Sequence, residues 1–260
     1  MNSSARIIEY PIRIFSAVHF TFLIAALLLA LFFAILLSRK FGFTKKIIWV
    51  CAFIGLVCEM ERMLFFVRET PSGYRLPANL IPFNLCPFQV VLIAILALSE
   101  APEKHRKLIS FMYPAMVGGG LMGMALCGEA FAAHGLSDLA TYRYFLYHGM
   151  VVFMGFYLYL SKPFHFGLIN YGYSLFLISC AGIMGIWING FFGWDPEANH
   201  MFLVRPPVNG LPILNLDRGW PFYLLDIMML SALLITLCYL PVIIRETPQL
   251  IRKIRGKPGG

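Results

Sequence analysis

The sequence predicts an all-α, polytopic membrane bundle of about seven transmembrane helices. Of 260 residues, 59% are apolar and only 13% charged, whereas a soluble domain carries about a quarter charged residues. Apolar runs of around twenty residues recur along the whole chain, each long enough to cross a hydrocarbon core of about 30 Å. The basic residues behind the formal charge of +8 sit in short segments between those runs and at the C-terminus. That placement suits lipid headgroups and topology rather than a nucleic-acid groove. The expected partners are therefore membrane lipids and no nucleic acid; protein partners are left open.

The first span runs from Ala17 to Leu37 and is rich in Leu, Ala and Phe. It is too long and too late for a signal h-region, and Ser38-Arg39-Lys40 follows it rather than a small-residue cleavage site. The second covers Lys46 to Val67, with Glu59, Glu61 and Arg62 in its far half. The third, Pro82 to Ser99, is short and holds Pro82 and Pro87. In the fourth, Leu108 to Leu126, Gly118, Gly119, Gly120 and Gly123 let neighbouring backbones approach. Thr141 to Leu160, Leu168 to Phe192 and Pro221 to Ile244 complete the set. The connection from Gly193 to Trp220 is rich in Pro, Asn and Gly and reads as an ordered surface loop. No internal repeat or soluble domain is evident, so residues 1–260 read as one transmembrane domain ending in a basic tail, 245–260.

Seven spans put the termini on opposite sides. One side then holds thirteen basic residues and the other seven. The richer side is cytoplasmic by the positive-inside rule. The N-terminus is thus expected outside or in a lumen and the C-terminus inside, in a cell membrane. Trp194 and Trp220 fall at the outer boundary and Trp49 near the inner one, as an aromatic belt would have them.

With that topology the unusual polar residues converge at one depth. Glu59 and Arg62 lie in the outer half of the second span, three apart and on one helix face. Cys86 and Gln89 sit near the outer end of the third, His148 in the fifth and Asp226 in the seventh. Charged groups in hydrocarbon are costly and usually face the bundle interior at a site, which suggests a polar cavity open to the outer leaflet. Glu59 and Arg62 serve either that site or a structural ion pair. Asp226 serves either the site or a cap or hydrogen bond between helices.

Cys86 lies in Ile81-Pro82-Phe83-Asn84-Leu85-Cys86-Pro87-Phe88-Gln89. If Pro87 opens the helix, Cys86 is the residue just before it. Unpaired backbone N–H groups and the positive dipole end there favour a thiolate, and a nearby histidine would take its proton. The competing readings are a small buried hydrophobe or a disulfide to Cys127. His148 is either that base or the donor of a helix-to-helix hydrogen bond. The scattered histidines lack paired spacing and no CxxC occurs, so neither a metal nor a cofactor is expected.

The stretch from Leu80 to Val91, with Asn84-Leu85-Cys86 opening a helix, resembles the YwaF-like integral membrane proteins and the related transmembrane protein 164 family. Phe145 to Met150 resembles the family's Phe-x-x-His span. Asn199-His200-Met201-Phe202-Leu203 with Arg205-Pro206 resembles its Asn-Tyr-x-Phe-Leu loop, and Gly219-Trp220-Pro221-Phe222-Tyr223 its entry to the last span. His200 stands where Tyr is usual, Arg218-Gly219 replaces a Gly-Pro step, and Pro87 follows the cysteine. The resemblance implies a lipid acyltransferase in which Cys86 carries the acyl group as a thioester and His148 is base and then acid. Asn84 or Gln89 would serve the oxyanion, and His200 and Asp226 would lie at the substrate. The competing function is a non-enzymatic transporter or lipid-binding protein using the same cavity.

Overall fold

The computed structural model describes residues 15–65, 67–70, 73–126, 139–194, 198–207, 211 and 213–255. Those residues form seven α-helices: α1 (Ala17–Phe41), α2 (Lys45–Phe65), α3 (Leu85–Leu98), α4 (Arg106–Ala125), α5 (Leu139–Leu160), α6 (Leu168–Phe191) and α7 (Trp220–Arg255). The one departure from an all-α fold among them is a short antiparallel hairpin between α2 and α3, with Arg68 opposite Arg75. The protein is a helical membrane bundle with its apolar helices in contact with lipid. Four helices (α1, α4, α6 and α7 as far as Pro248) are long and apolar enough to cross a membrane on composition alone.

The hub is α4, which packs against α1, α3, α5, α6 and α7. Its glycines account for how so many neighbours fit. A Cβ on Gly120 would lie 2.7 Å from Val152 Cγ2 of α5, and one on Gly119 would lie 2.7 Å from Leu85 Cδ2 of α3. Only bare Cα atoms allow such approach, the usual device where lipid removes the hydrophobic drive for helix pairing. The outer helices turn large apolar residues outward, among them Leu28, Phe32, Phe176, Trp187 and Met229, all more than half exposed. Far from the Cys86 end of α3, Ser110 of α4 anchors a buried polar knot. Asn170 donates to its hydroxyl at 2.8 Å, and Ser174 and Tyr239 donate to its carbonyl.

Helix limits differ from the sequence expectation where prolines mislead. Asn84 is the N-cap of α3 and Leu85 its first residue, so Cys86 is the second helical residue and Pro87 the third. The first four helical N–H groups have no intrahelical partner, so proline costs nothing at any of these positions, and Pro87 is no marker of the first. At fourteen residues, α3 is about 21 Å long, short of a hydrocarbon core of about 30 Å. The irregular chain leading into it therefore approaches membrane depth and needs its carbonyls satisfied. Arg62 does this for Leu80, donating from Nη2 to its carbonyl at 3.0 Å. At the other end, α7 continues to Arg255 through Pro241 and Pro248, so most of the basic tail is helical.

Candidate functional site

The helices run alternately up and down, which brings the end of α2, the start of α3, the end of α4 and the start of α5 to one end of the bundle. Cys86 and Gln89 share the inward face of α3, one turn apart, and both are buried. On α5 the half-buried ring of His148 places Nδ1 2.9 Å from the Tyr144 carbonyl. A carbonyl only accepts, so Nδ1 carries a proton, and in the neutral ring the lone pair is then on Nε2. Tyr144 is itself held by donating its hydroxyl to the Gly123 carbonyl of α4.

His148 and Cys86 both border Gly123. The point that a Cβ on Gly123 would occupy lies 2.9 Å from His148 Nε2 and 3.8 Å from Cys86 Sγ. The lone pair and the thiol thus flank one small gap that exists because residue 123 has no side chain. Their separation cannot exceed those two distances together.

On the same two helices lie buried polar groups without a hydrogen-bond partner. Both amide atoms of Gln89 and the hydroxyl of Tyr147 are buried without a hydrogen-bond partner. Most buried polar groups in folded proteins are paired, so orphans this deep are exceptional. Glu59 of α2 is buried as well. Glu59 Oε2 accepts from Arg62 Nε at 3.0 Å and Nη2 at 2.6 Å. Since Arg62 also holds Leu80, the pair ties α2 to the entry of α3.

Asn84 plays a different part from an oxyanion donor through its carbonyl end. Its Oδ1 accepts the Met201 N–H at 2.7 Å, binding the head of α3 to the loop after α6. That loop is strained: Asn199, Met201 and Phe202 have φ of 24°, 55° and 57°, where an L-residue pays about 1–2 kcal/mol. Asn189 clamps it, donating to the His200 carbonyl at 3.0 Å and accepting its N–H at 2.9 Å. The His200 ring is fully buried between Phe83 and Phe192, and neither ring nitrogen has a hydrogen-bond partner. Burial pushes its imidazole below the ordinary histidine range. Asp226 is engaged elsewhere, its carboxylate paired with Arg218 at the entry to α7.

Cys86, Gln89, His148, Glu59 and Arg62 are therefore gathered at one end, while His200 and Asp226 have other contacts. The cluster is packed rather than widely open, with Cys86 9% exposed. Cys127, the alternative disulfide partner, lies outside the described residues; Cys51, Cys58, Cys86, Cys180 and Cys238 are free thiols. Sequence reasoning missed Tyr147 and the role of Gly123. Tyr147 adjoins His148, but a tyrosine near a membrane boundary also reads as part of an aromatic belt.

Comparison with known proteins gives one finding. Residues 14–240 match the family model described as the TMEM164 family. No curated protein and no solved structure matches the chain.

Proposed function

The chain belongs to the TMEM164 family, and from that premise we propose that it is a membrane-embedded lipid acyltransferase working through a thioester on Cys86. The observation that carries the reading is the common gap at Gly123, flanked by His148 Nε2 at 2.9 Å and Cys86 Sγ at 3.8 Å.

In the first half-reaction His148 Nε2 takes the thiol proton and the sulfur attacks the ester carbonyl of a donor lipid. A C–S bond forms, the C–O bond to glycerol breaks, and the imidazolium returns its proton to the leaving oxygen. In the second, a hydroxyl of the acceptor lipid gives its proton to Nε2 and attacks the thioester. The C–S bond breaks, and the imidazolium returns its proton to the leaving sulfur, which restores the thiol. The oxyanion of each step needs donors. The candidates are the Gln89 amide, the Tyr147 hydroxyl, the Asn84 side-chain N–H groups and the backbone N–H groups of Leu85 and Cys86. Those two backbone groups lie in the first helical turn, where no intrahelical acceptor exists. A closed setting favours transfer over hydrolysis, because water would otherwise consume the thioester.

In this reading the cluster faces the outer leaflet of a cell membrane and the C-terminus is cytoplasmic, supported by the charge asymmetry between the two bundle ends. A reporter fused after Gly260 should stay cytoplasmic and one inserted between Gly193 and Trp220 should not. The acyl chemistry is tested by intact-protein mass spectrometry of purified protein incubated with lipid. An acyl-mass adduct on Cys86, reversed by neutral hydroxylamine, is expected. Turnover of acyl lipids with no adduct, undiminished in Cys86→Ala, would remove the thioester. No change in any acyl lipid would favour a transport or lipid-binding protein.

A further inference from the structure

At the end of α4 remote from Cys86, a hollow of about 660 Å³ opens between the 3-10 turn Pro102–Lys104, the start of α4, the α5–α6 connection and the start of α6. We propose that it is a binding site for the headgroup of one anionic phospholipid. It is separate from the acyl-transfer cluster, because Arg106 and Gly123 stand seventeen helical residues apart on α4, about 25 Å.

Three cations line the hollow: Lys104, Arg106 and Lys107. All three are exposed, and none has a carboxylate partner among the described residues. The acids nearby are either turned to other work or merely adjacent. Glu246 is engaged by His165 at 2.8 Å and by the Leu168 N–H at 3.0 Å, and Glu103 lies exposed in the same 3-10 turn. Two of the cations are already oriented by aromatic faces. The Arg106 guanidinium stands 5.8 Å from the centre of the Phe164 ring and the Lys107 ammonium 5.1 Å from that of Tyr173, attractions that hold a cation without neutralising it. Three unpaired, convergent charges beside a concavity favour an anion, and an arginine fork with flanking lysines suits phosphate oxygens.

The site's flank selects a lipid rather than a free anion. Ile169 lines the hollow and begins a stripe on α6 with Phe176 and Ile183, seven residues apart and 69%, 65% and 59% exposed. That stripe faces the hydrocarbon, so a headgroup in the hollow would lay its acyl chain along it. Basic pockets between helices at a membrane surface bind anionic headgroups in this way.

The test is native mass spectrometry of the full chain released from bilayers of mixed phosphatidylcholine and phosphatidylglycerol. The wild type should retain one phosphatidylglycerol. The triple variant Lys104→Gln, Arg106→Gln, Lys107→Gln should retain less by on the order of tenfold. The control Arg39→Gln, Lys40→Gln, Lys45→Gln, at the same end of the bundle, should match the wild type. Lys104→Gln alone, at an exposed side chain, should show part of the loss with an unchanged circular dichroism spectrum, which separates lost binding from lost folding. Equal retention by the triple variant and the wild type would overturn the proposal, and so would equal loss in the control. Displacement of the lipid by millimolar inorganic phosphate would make it a free-anion site and overturn the lipid assignment. Repeating the measurement on Cys86→Ala should give wild-type retention, so the outcome is independent of acyl transfer.

Discussion

His148 Nε2 and Cys86 Sγ face one gap beside Gly123, 2.9 Å and 3.8 Å from the point a Cβ there would occupy. Gly123→Ala would put a methyl group against the imidazole. The ring ends a side chain and can swing, so the helix should survive at a cost of about 1–3 kcal/mol. The displaced lone pair should lower acyl transfer by about 10²-fold, the usual penalty for misplacing a reacting group by an ångström. Acyl-transfer assays at matched protein level check this; undiminished transfer would mean the gap is not where the proton moves.

The Glu59–Arg62 pair predicts a stability asymmetry. The side chains are 9% and 23% exposed respectively, so Arg62→Met leaves a buried carboxylate unpaired and the Leu80 carbonyl without its donor. The expected loss is about 3 kcal/mol, near the low end for breaking a buried pair. Adding Glu59→Gln should recover part of it, because the orphan charge is gone. Unfolding in detergent micelles measures both; a loss for Arg62→Met no greater than that of an exposed pair, under about 1 kcal/mol, would show the pair is solvated.

His200 predicts a pH dependence. Burial lowers its affinity for a proton below the usual value near 6.5. As pH falls through that value the unfolded chain takes up a proton that the folded chain refuses, so the unfolded state binds more protons and stability drops. The stabilisation is complete above about pH 6.5 and is lost progressively below it. His200→Phe, placed between Phe83 and Phe192, removes the titration. The variant's melting temperature should fall less than the wild type's between pH 7 and pH 5; parallel curves would refute the assignment.

The apolar runs made the seven helices among the described residues legible, because such hydrophobic stretches are too long for an ordinary strand, and four of them, α1, α4, α6 and α7, are long and apolar enough to cross a membrane. Their ends were less so. Pro87 is compatible with any of the first helical positions, so it could not say whether Cys86 precedes or follows the helix start. At the site, alternating helix direction made the shared end of Glu59, Cys86, Gln89 and His148 readable. The partner of Asp226 was not: Arg218 lies in a loop whose path no periodicity describes. Gly123 looked like one more small residue in a packing stripe, since sequence shows that a side chain is missing but not what fills the space.

Cys86 and His148 should behave as one unit. Cys86→Ala removes the nucleophile, and Cys86→Ser leaves a hydroxyl that is weak at neutral pH without strong activation. Both are small changes, so insertion should persist. His148→Ala should depress acyl transfer as well, and the double variant should be little worse than either single one, since members of a catalytic unit are non-additive. Multiplicative losses in single-turnover assays would mean the two act separately.

Gln89 gives the prediction that best separates a waiting site from a packing defect. Its amide is fully buried with neither atom hydrogen-bonded, one turn from Cys86 on the same face. An unpaired buried polar group costs about 1–3 kcal/mol. Gln89→Met keeps the length and removes the unmet donors and acceptor, so the resting protein should become more stable, by about 1 kcal/mol. If the amide is kept for the oxyanion, that gain comes with a loss of transfer. One side-chain donor in such a hole is worth about 10²–10³ in turnover. The expected signature is thus a higher melting temperature together with a lower kcat and a nearly unchanged KM, because the hydrogen bond strengthens as charge develops on the oxygen. Tyr147→Phe should show the same opposition if its hydroxyl shares the task. A Gln89→Met protein that is more stable and fully active would identify the amide as an unpaired relic of packing, and the oxyanion would then fall to the backbone N–H groups at the head of α3.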